Sequence, residues 1–247
     1  MSCTENLTFR VCGWSAWTET PREPGAWNGW AGTAGDADRT ACLPPADLPM
    51  MLRRRASPLG RTALAAAMGL PDIDRARYIL SSRHGELSRT ATILRSLAGN
   101  DMPSPADFSM SVHHGLVGLL AIATGNRGGH SAVSAGPESF CYGLLEAAAC
   151  TVEAPEEPAI LLHCDERPEG AFAALFEEPE REGPMVAAIC LRAEASGEGR
   201  AVAMRIEARE DAGSQRNHAL DFLRFVAGGA ARMESPGRRI AWEWSRA

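Results

Sequence analysis

Seven cysteines, at 3, 12, 42, 141, 150, 164 and 190, are spread over the 247 residues, and no two of them form a C-x-x-C pair. An odd count in a chain of this size argues against a disulfide frame and predicts reduced thiols in a cytoplasm. No apolar run reaches the length of a membrane span. Polar residues at Thr4, Glu5, Asn6 and Arg10 interrupt the start, so neither a signal peptide nor a span is predicted. No basic tract interleaves with aromatics, and the net charge is -6. Nucleic acid is therefore not an expected partner. The one basic cluster, Arg53 to Arg55, reads as a solvated helix face. G-x-S-x-G, P-loop and G-x-G-x-x-G patterns are all missing, which removes the usual hydrolase and nucleotide-cofactor signatures. His163, Cys164, Asp165 and Glu166 carry metal-ligating atoms. On a strand, His163 and Asp165 share a face while Cys164 points away, and no second cluster has fitting spacing. No metal and no cofactor are expected.

What is present reads as an α/β chain without internal repeats. Residues 7–13 form a first strand ending at Gly13, with Trp14 and Trp17 just after it. Residues 18–45 are rich in Pro, Gly, Thr and Asp and read as an irregular excursion carrying Trp27 and Trp30. An Ala-rich helix closes at Gly69, and a strand follows over 77–82. The next helix puts Leu87, Ala91, Leu94 and Leu97 on one face. Residues 111–124 lack a polar face, which predicts a helix buried on all sides. A strand at 130–135, a helix at 137–150 and an apolar strand at 159–164 come next. Residues 165–184 are an acidic loop with a small apolar island. Alternation at Ala187, Ile189 and Leu191, then at Val202, Met204 and Ile206, predicts a hairpin around "ASGEG". A helix carrying Ala219, Phe222, Leu223 and Val226 on one face and a last strand at 238–246 complete the chain. Strands alternating with helices predict a mainly parallel mixed sheet covered by helices.

The stretch "FSMSVHHGLVGLLAIATGNRGGHSAVSAGPESF" resembles the N-terminal half of the ketosynthases of fatty-acid and polyketide synthesis. That family runs through a Phe-containing loop, an apolar helix with an inner glycine, a "G-L-R-G-P" turn, and a strand ending in "A-C" at a helix start. Gly118 matches the inner glycine, and Gly125, Arg127 and Gly128 match the turn. Gly129 stands where the family has proline, and His114 where it usually has asparagine. Upstream, "RRRASPLGRTALAAA" and "FRVCGWSAW" look like the family's early helix and first strand. More narrowly, "SRHGEL", "SVHH" and "SAGPESF" resemble the short chain-length factors found beside ketosynthases in aryl-polyene and dialkylresorcinol pathways. The resemblance implies a single truncated ketosynthase-like domain over 1–247, the N-terminal half of a thiolase-like fold.

At the corner where the family carries its nucleophilic cysteine, this chain has Gly136, Pro137 and Glu138. A helix N-terminus lowers a thiol pKa and donates to a developing oxyanion. Proline offers neither a thiol nor an N–H. The family's condensation also uses two C-terminal histidines. After the corner this chain has only His163 and His218, neither in the family's Gly-rich motifs. No catalytic residue is therefore expected. Cys141, one helical turn beyond Pro137, is either a shifted nucleophile or a small buried residue.

The resemblance implies a silent subunit that pairs with a complete beta-ketoacyl synthase and, through that complex, meets acyl carrier protein. The strand His130, Ser131, Ala132, Val133, Ser134, Ala135 would then lie at the dimer axis. Phe108, Met110 and Phe140 would bound the partner's acyl tunnel and limit chain length. Two alternatives stay open: a free-standing acyltransferase or thioesterase using Cys141, and an acyl-binding homodimer.

Overall fold

A computed structural model describes residues 6–18, 30–33, 48–166, 170, 173, 185–209 and 217–247. The strands are β1 (Leu7–Thr18), β2 (Trp30–Thr33), β3 (Arg77–Ser81), β4 (His130–Val133), β5 (Ala159–Asp165), β6 (Met185–Ala193), β7 (Arg200–Ala208), β8 (Arg232–Pro236) and β9 (Ile240–Arg246). The helices are α1 (Met50–Arg53), α2 (Pro58–Met68), α3 (Leu87–Ala98), α4 (Pro105–Ser111), α5 (Gly115–Thr124), α6 (Ser139–Glu153) and α7 (His218–Ala227).

One sheet organises the chain, in the order β4-β3-β5-β6-β1-β7-β9-β8, with β2 paired to β1. The α/β class and the mixed sheet agree with the sequence reading; the balance of strand directions does not. Only β4-β3 and β3-β5 are parallel. The pairings from β5 through to β8, and β1 with β2, are antiparallel. The βαβ rule holds only where a helix crosses over, and no helix separates β5 from β6 among the described residues.

Side chains alternate across the sheet and build two cores. Ile79 and Leu161 join Phe140, Leu144, Phe222, Phe225, Trp242 and Trp244 on the face covered by α6 and α7. Tyr78, Leu80, Ile160 and Leu162 join Leu64, Met110, Val117 and Leu120 on the face covered by α2 and α5. Strands sandwiched this way lose the polar alternation expected of a half-buried sheet. α7 presents the predicted Ala219, Phe222, Leu223 and Val226 to the first core. Burying each of its phenylalanines contributes about 1.5–3 kcal/mol.

Several sequence expectations are corrected. The first strand does not stop at Gly13 but continues to Thr18, with an irregularity between Val11 and Gly13. Trp14 is therefore a strand residue packed in the first core. The excursion at 18–45 contains a regular element, β2, hydrogen-bonded to Gly13–Ala16; its Trp27 lies outside the described residues. The hairpin at "ASGEG" does not exist. β6 and β7 lie on opposite sides of β1, both antiparallel to it, and residues 194–199 cross over β1. The crossing is tight: Gly199 has φ +89°, and a Cβ there would sit 2.6 Å from the Val11 carbonyl oxygen. Arg10 clasps the crossing by donating to the Glu194 carbonyl (2.8 Å) and the Gly199 carbonyl (3.0 Å). β8 was not expected; it pairs with the predicted last strand.

The helix expected over 111–124 starts later: Ser111 closes α4, and α5 begins at Gly115. Val112 is extended, and α4 and α5 meet at a bend of 92°. Nor is α5 buried on all sides, since Ile122 is 65% exposed. α3 shows the predicted apolar stripe, but only Ala91 is buried, with Leu94 and Leu97 open to solvent. Among the described residues no single helix is long and apolar enough to cross a membrane. Most of the acidic loop 165–184, including its apolar island apart from residue 173, lies outside the described residues.

Candidate functional site

β4 ends at Val133, and the chain turns through Ser134, Ala135 and Gly136 before α6 begins at Ser139. Gly136 has φ +61°, the left-handed region that glycine enters without strain. The helix starts two residues later than expected, with Glu138 as its N-cap. Pro137 precedes the cap instead of filling the first turn, because its neighbours commit their polar groups to the turn. The Glu138 N–H donates to the Ala135 carbonyl (3.3 Å), and the Ser139 N–H to the Gly136 carbonyl (3.1 Å). The Ser139 hydroxyl accepts from the Ala135 N–H (2.9 Å) and donates to the Gly136 carbonyl (2.7 Å). The Ser139 hydroxyl is thus occupied in closing the corner, and the Ser134 hydroxyl donates to the Arg83 carbonyl (3.3 Å).

Glu138 turns inward. One carboxylate oxygen accepts from the Arg238 N–H (2.9 Å) and the other from the Trp242 indole N–H (3.1 Å). A Cβ on Gly237 would come within 2.6 Å of that carboxylate. The corner is therefore bolted to the β8–β9 hairpin. The sequence held no signal for this role, since the partners lie about a hundred positions away and follow no local period.

Cys141 lies under the corner, fully buried in the first core. Burial, reinforced by the negative charges of Glu138 and Asp221, drives its thiol well above the ordinary range. A nucleophile needs the opposite environment, electropositive and open.

Of the two histidines beyond the corner, His163 is buried, 2.9 Å from the Ser81 hydroxyl through Nδ1 and 3.5 Å from Asp165 through Nε2. Burial lowers its pKa, with Asp165 opposing. His163 and Asp165 share a face, and Cys164 packs in the other core, as the strand period requires. The Ser81-His163-Asp165 chain has the composition of a hydrolytic triad, but Ser81 is sealed. A Cβ on Gly143 of α6 would stand 2.5 Å from the Ser81 Cβ, so the helix presses directly on the hydroxyl-bearing carbon. Asp165 also accepts from the Ser82 hydroxyl (2.7 Å) and the Arg83 N–H (2.8 Å), tying down the turn after β3. His218 is buried against the Ser235 hydroxyl (2.7 Å). Among the described residues no three His, Cys, Asp or Glu side chains come together as a metal site.

The three tunnel candidates are not brought together. Phe140 is buried in the first core, with its ring 5.4 Å from that of His163. Met110 is buried in the second core, across the sheet. Phe108 is 64% exposed on α4. The interface candidates do share one place. β4 is an edge strand whose exposed side chains are His130 and Ala132, followed by exposed Ser134. His130 stacks on His114 at 6.1 Å, which sets the α4–α5 junction beside the edge.

The beta-ketoacyl synthase N-terminal domain matches residues 14–245. The chain belongs to the beta-ketoacyl synthase family. No curated protein matches the sequence. Among solved structures, a chain of the "Ketosynthase (ApeO) in Complex with its Chain Length Factor (ApeC)" from Xenorhabdus doucetiae superposes with a TM-score of 0.76 at 26% identity. The match covers 97% of this chain and 99% of that one, so the two are nearly equal in length. The ishigamide ketosynthase/chain length factor superposes at 0.53, with 17% identity over 92% of this chain and 71% of that one. A type II polyketide ketosynthase in complex with its acyl-carrier protein superposes at 0.58, with 10% identity over 84% and 89%. The last two show the fold alone. Within this fold the strand-to-helix corner is the Gly136–Glu138 turn, closed by its own hydrogen bonds and tied to β8–β9.

Proposed function

We propose that this chain is a non-catalytic ketosynthase-like subunit, a chain-length factor, that pairs with a complete beta-ketoacyl synthase. The observation that carries the reading is the corner itself. Pro137 brings neither thiol nor N–H, Ser139 is spent on the turn, and Cys141 is sealed beneath. Neither Pro137, Ser139 nor Cys141 offers the open thiolate that such a corner would need. The length and likeness shared with a chain of the ApeO–ApeC complex support the same reading.

The edge of β4 supports the pairing. It bonds only to β3 among the described residues, leaving a row of backbone groups open to another strand. The small exposed Ala132 and Ser134 permit close approach. Phe108, exposed on α4, would be the residue that narrows the partner's acyl tunnel. The role is steric. The partner makes the carbon–carbon bond from groups carried on acyl carrier protein, in a fatty-acid or polyketide-type pathway such as that of aryl polyenes.

The test is co-expression with each ketosynthase encoded near this chain, followed by light scattering on a sizing column. The expected result is a one-to-one complex whose condensing activity is lost on changing the partner's cysteine and kept with Cys141→Ala. A stable homodimer that ignores every ketosynthase would overturn the proposal in favour of an acyl-binding role.

A further inference from the structure

The "SRHGEL" segment, Ser82 to Leu87, has no part in the corner, yet its glutamate is one of the few buried charges in the fold. Glu86 accepts the Ser57 hydroxyl on one oxygen (2.6 Å) and Arg89 on the other. Arg89, in the first turn of α3, is 14% exposed and reaches three acceptors. Its fork bonds Glu86, the Asp107 carboxylate (2.9 Å) and the Arg55 carbonyl. One guanidinium thus joins the approach to α2, the turn after β3, and α4.

α4 depends on that joint. A seven-residue helix is far too short to be stable alone. Its only buried residue is Met110, which packs into the second core near the C-terminal end. At the other end the Ser104 hydroxyl caps the Asp107 N–H (3.3 Å), and Asp107 meets Arg89. Phe108 stands between the Met110 anchor and the Arg89 tie, with its ring in solvent. If the tie is lost, α4 keeps its anchor but is free to pivot about it, carrying Phe108 along.

We propose that Arg89 is a positioning residue for chain length. By holding Asp107 it fixes where the Phe108 ring stands, and so the point at which the partner's growing acyl chain is stopped. This rests on the chain-length reading above. Lysine cannot substitute fully, because a point charge does not serve three acceptors in a planar fork.

The experiment uses the complex with the co-purifying ketosynthase and reads the length distribution of extracted acyl products by mass spectrometry. Phe108→Ala is the reference, and Arg89→Gln and Asp107→Asn are the test variants. Both should shift the ratio of the two main product lengths by about fivefold in the direction of Phe108→Ala, the factor expected when a partly buried ion pair biases a two-state element. Arg89→Lys should fall between. Asp107→Asn keeps the result readable if Arg89→Gln fails to fold. A purely structural role would lower complex yield and leave the ratio untouched, and that result would overturn the proposal. If Phe108→Ala shifts the lengths and neither tie variant does, Arg89 has no such role and the subunit reading stands. If Phe108→Ala also leaves the lengths unchanged, both fall together.

Discussion

Glu138 holds the indole N–H of Trp242 at 3.1 Å across 104 positions of sequence. Glu138 is therefore a structural bolt, and the tightest prediction concerns stability. Glu138→Ala leaves the Trp242 and Arg238 N–H groups without their acceptor and should cost about 1–3 kcal/mol. Glu138→Gln keeps one acceptor oxygen and should cost less. Urea denaturation measures both; equal losses would mean that packing, not hydrogen bonding, holds the hairpin.

The sealed thiol gives a chemical prediction. In the folded chain Cys141 should resist iodoacetamide, because burial both hides it and keeps it protonated. Site-resolved mass spectrometry should find it alkylated only in denaturant. Pro137→Cys, at a half-buried position, should be alkylated in the native state and still fail to condense. Condensation by that variant alone would show that the rest of a ketosynthase site is present.

His163 sets an acid limit. Burial lowers its folded pKa below the ordinary 6.5. The unfolded chain then binds the extra proton below that value, so stability is full above it and declines as pH falls through the window beneath it. His84, also lowered by burial, acts in the same direction, with Asp165 opposing both. Denaturation midpoints at about pH 7.5 and about pH 5.5 should differ, and the difference should shrink in His163→Gln. An unchanged difference would assign the acid limit elsewhere.

The edge of β4 can be blocked without touching the core. Ala132 is exposed on the edge strand, so Ala132→Lys should change stability by no more than about 0.5 kcal/mol. It should also abolish co-elution with the ketosynthase, since a lysine on an edge strand deters a second strand. Co-elution that survives the substitution would move the interface away from β4.

Periodicity reached the parts of this fold that depend on neighbours in sequence. The continuous apolar run of β5 and the apolar stripe of α7 were readable because burial there follows the local sequence pattern. β8 was missed, as "RMESP" carries no alternation and its place comes from pairing with β9. The false hairpin at residues 194–199 had the same cause: two alternating strands around a glycine turn look paired, and nothing local shows a third strand between them. At the corner, the sequence alone shows that Pro137 brings neither thiol nor N–H. The work done by Glu138, Ser139 and Arg89 was not legible there, because each acts through partners set by the tertiary fold.

β1 has a consequence for how the chain is made. Among the described residues it alone links β6 to the β7-β9-β8 group, which it meets through Leu7–Val11, although both neighbours lie far along the chain. Until β6 and β7 have formed, that strand has unfilled edges. Long-range closure of this kind is slow and leaves sticky intermediates in the meantime. The fold is therefore most vulnerable at β1, and loss of Leu7–Val11 would unhinge the far end of the sheet.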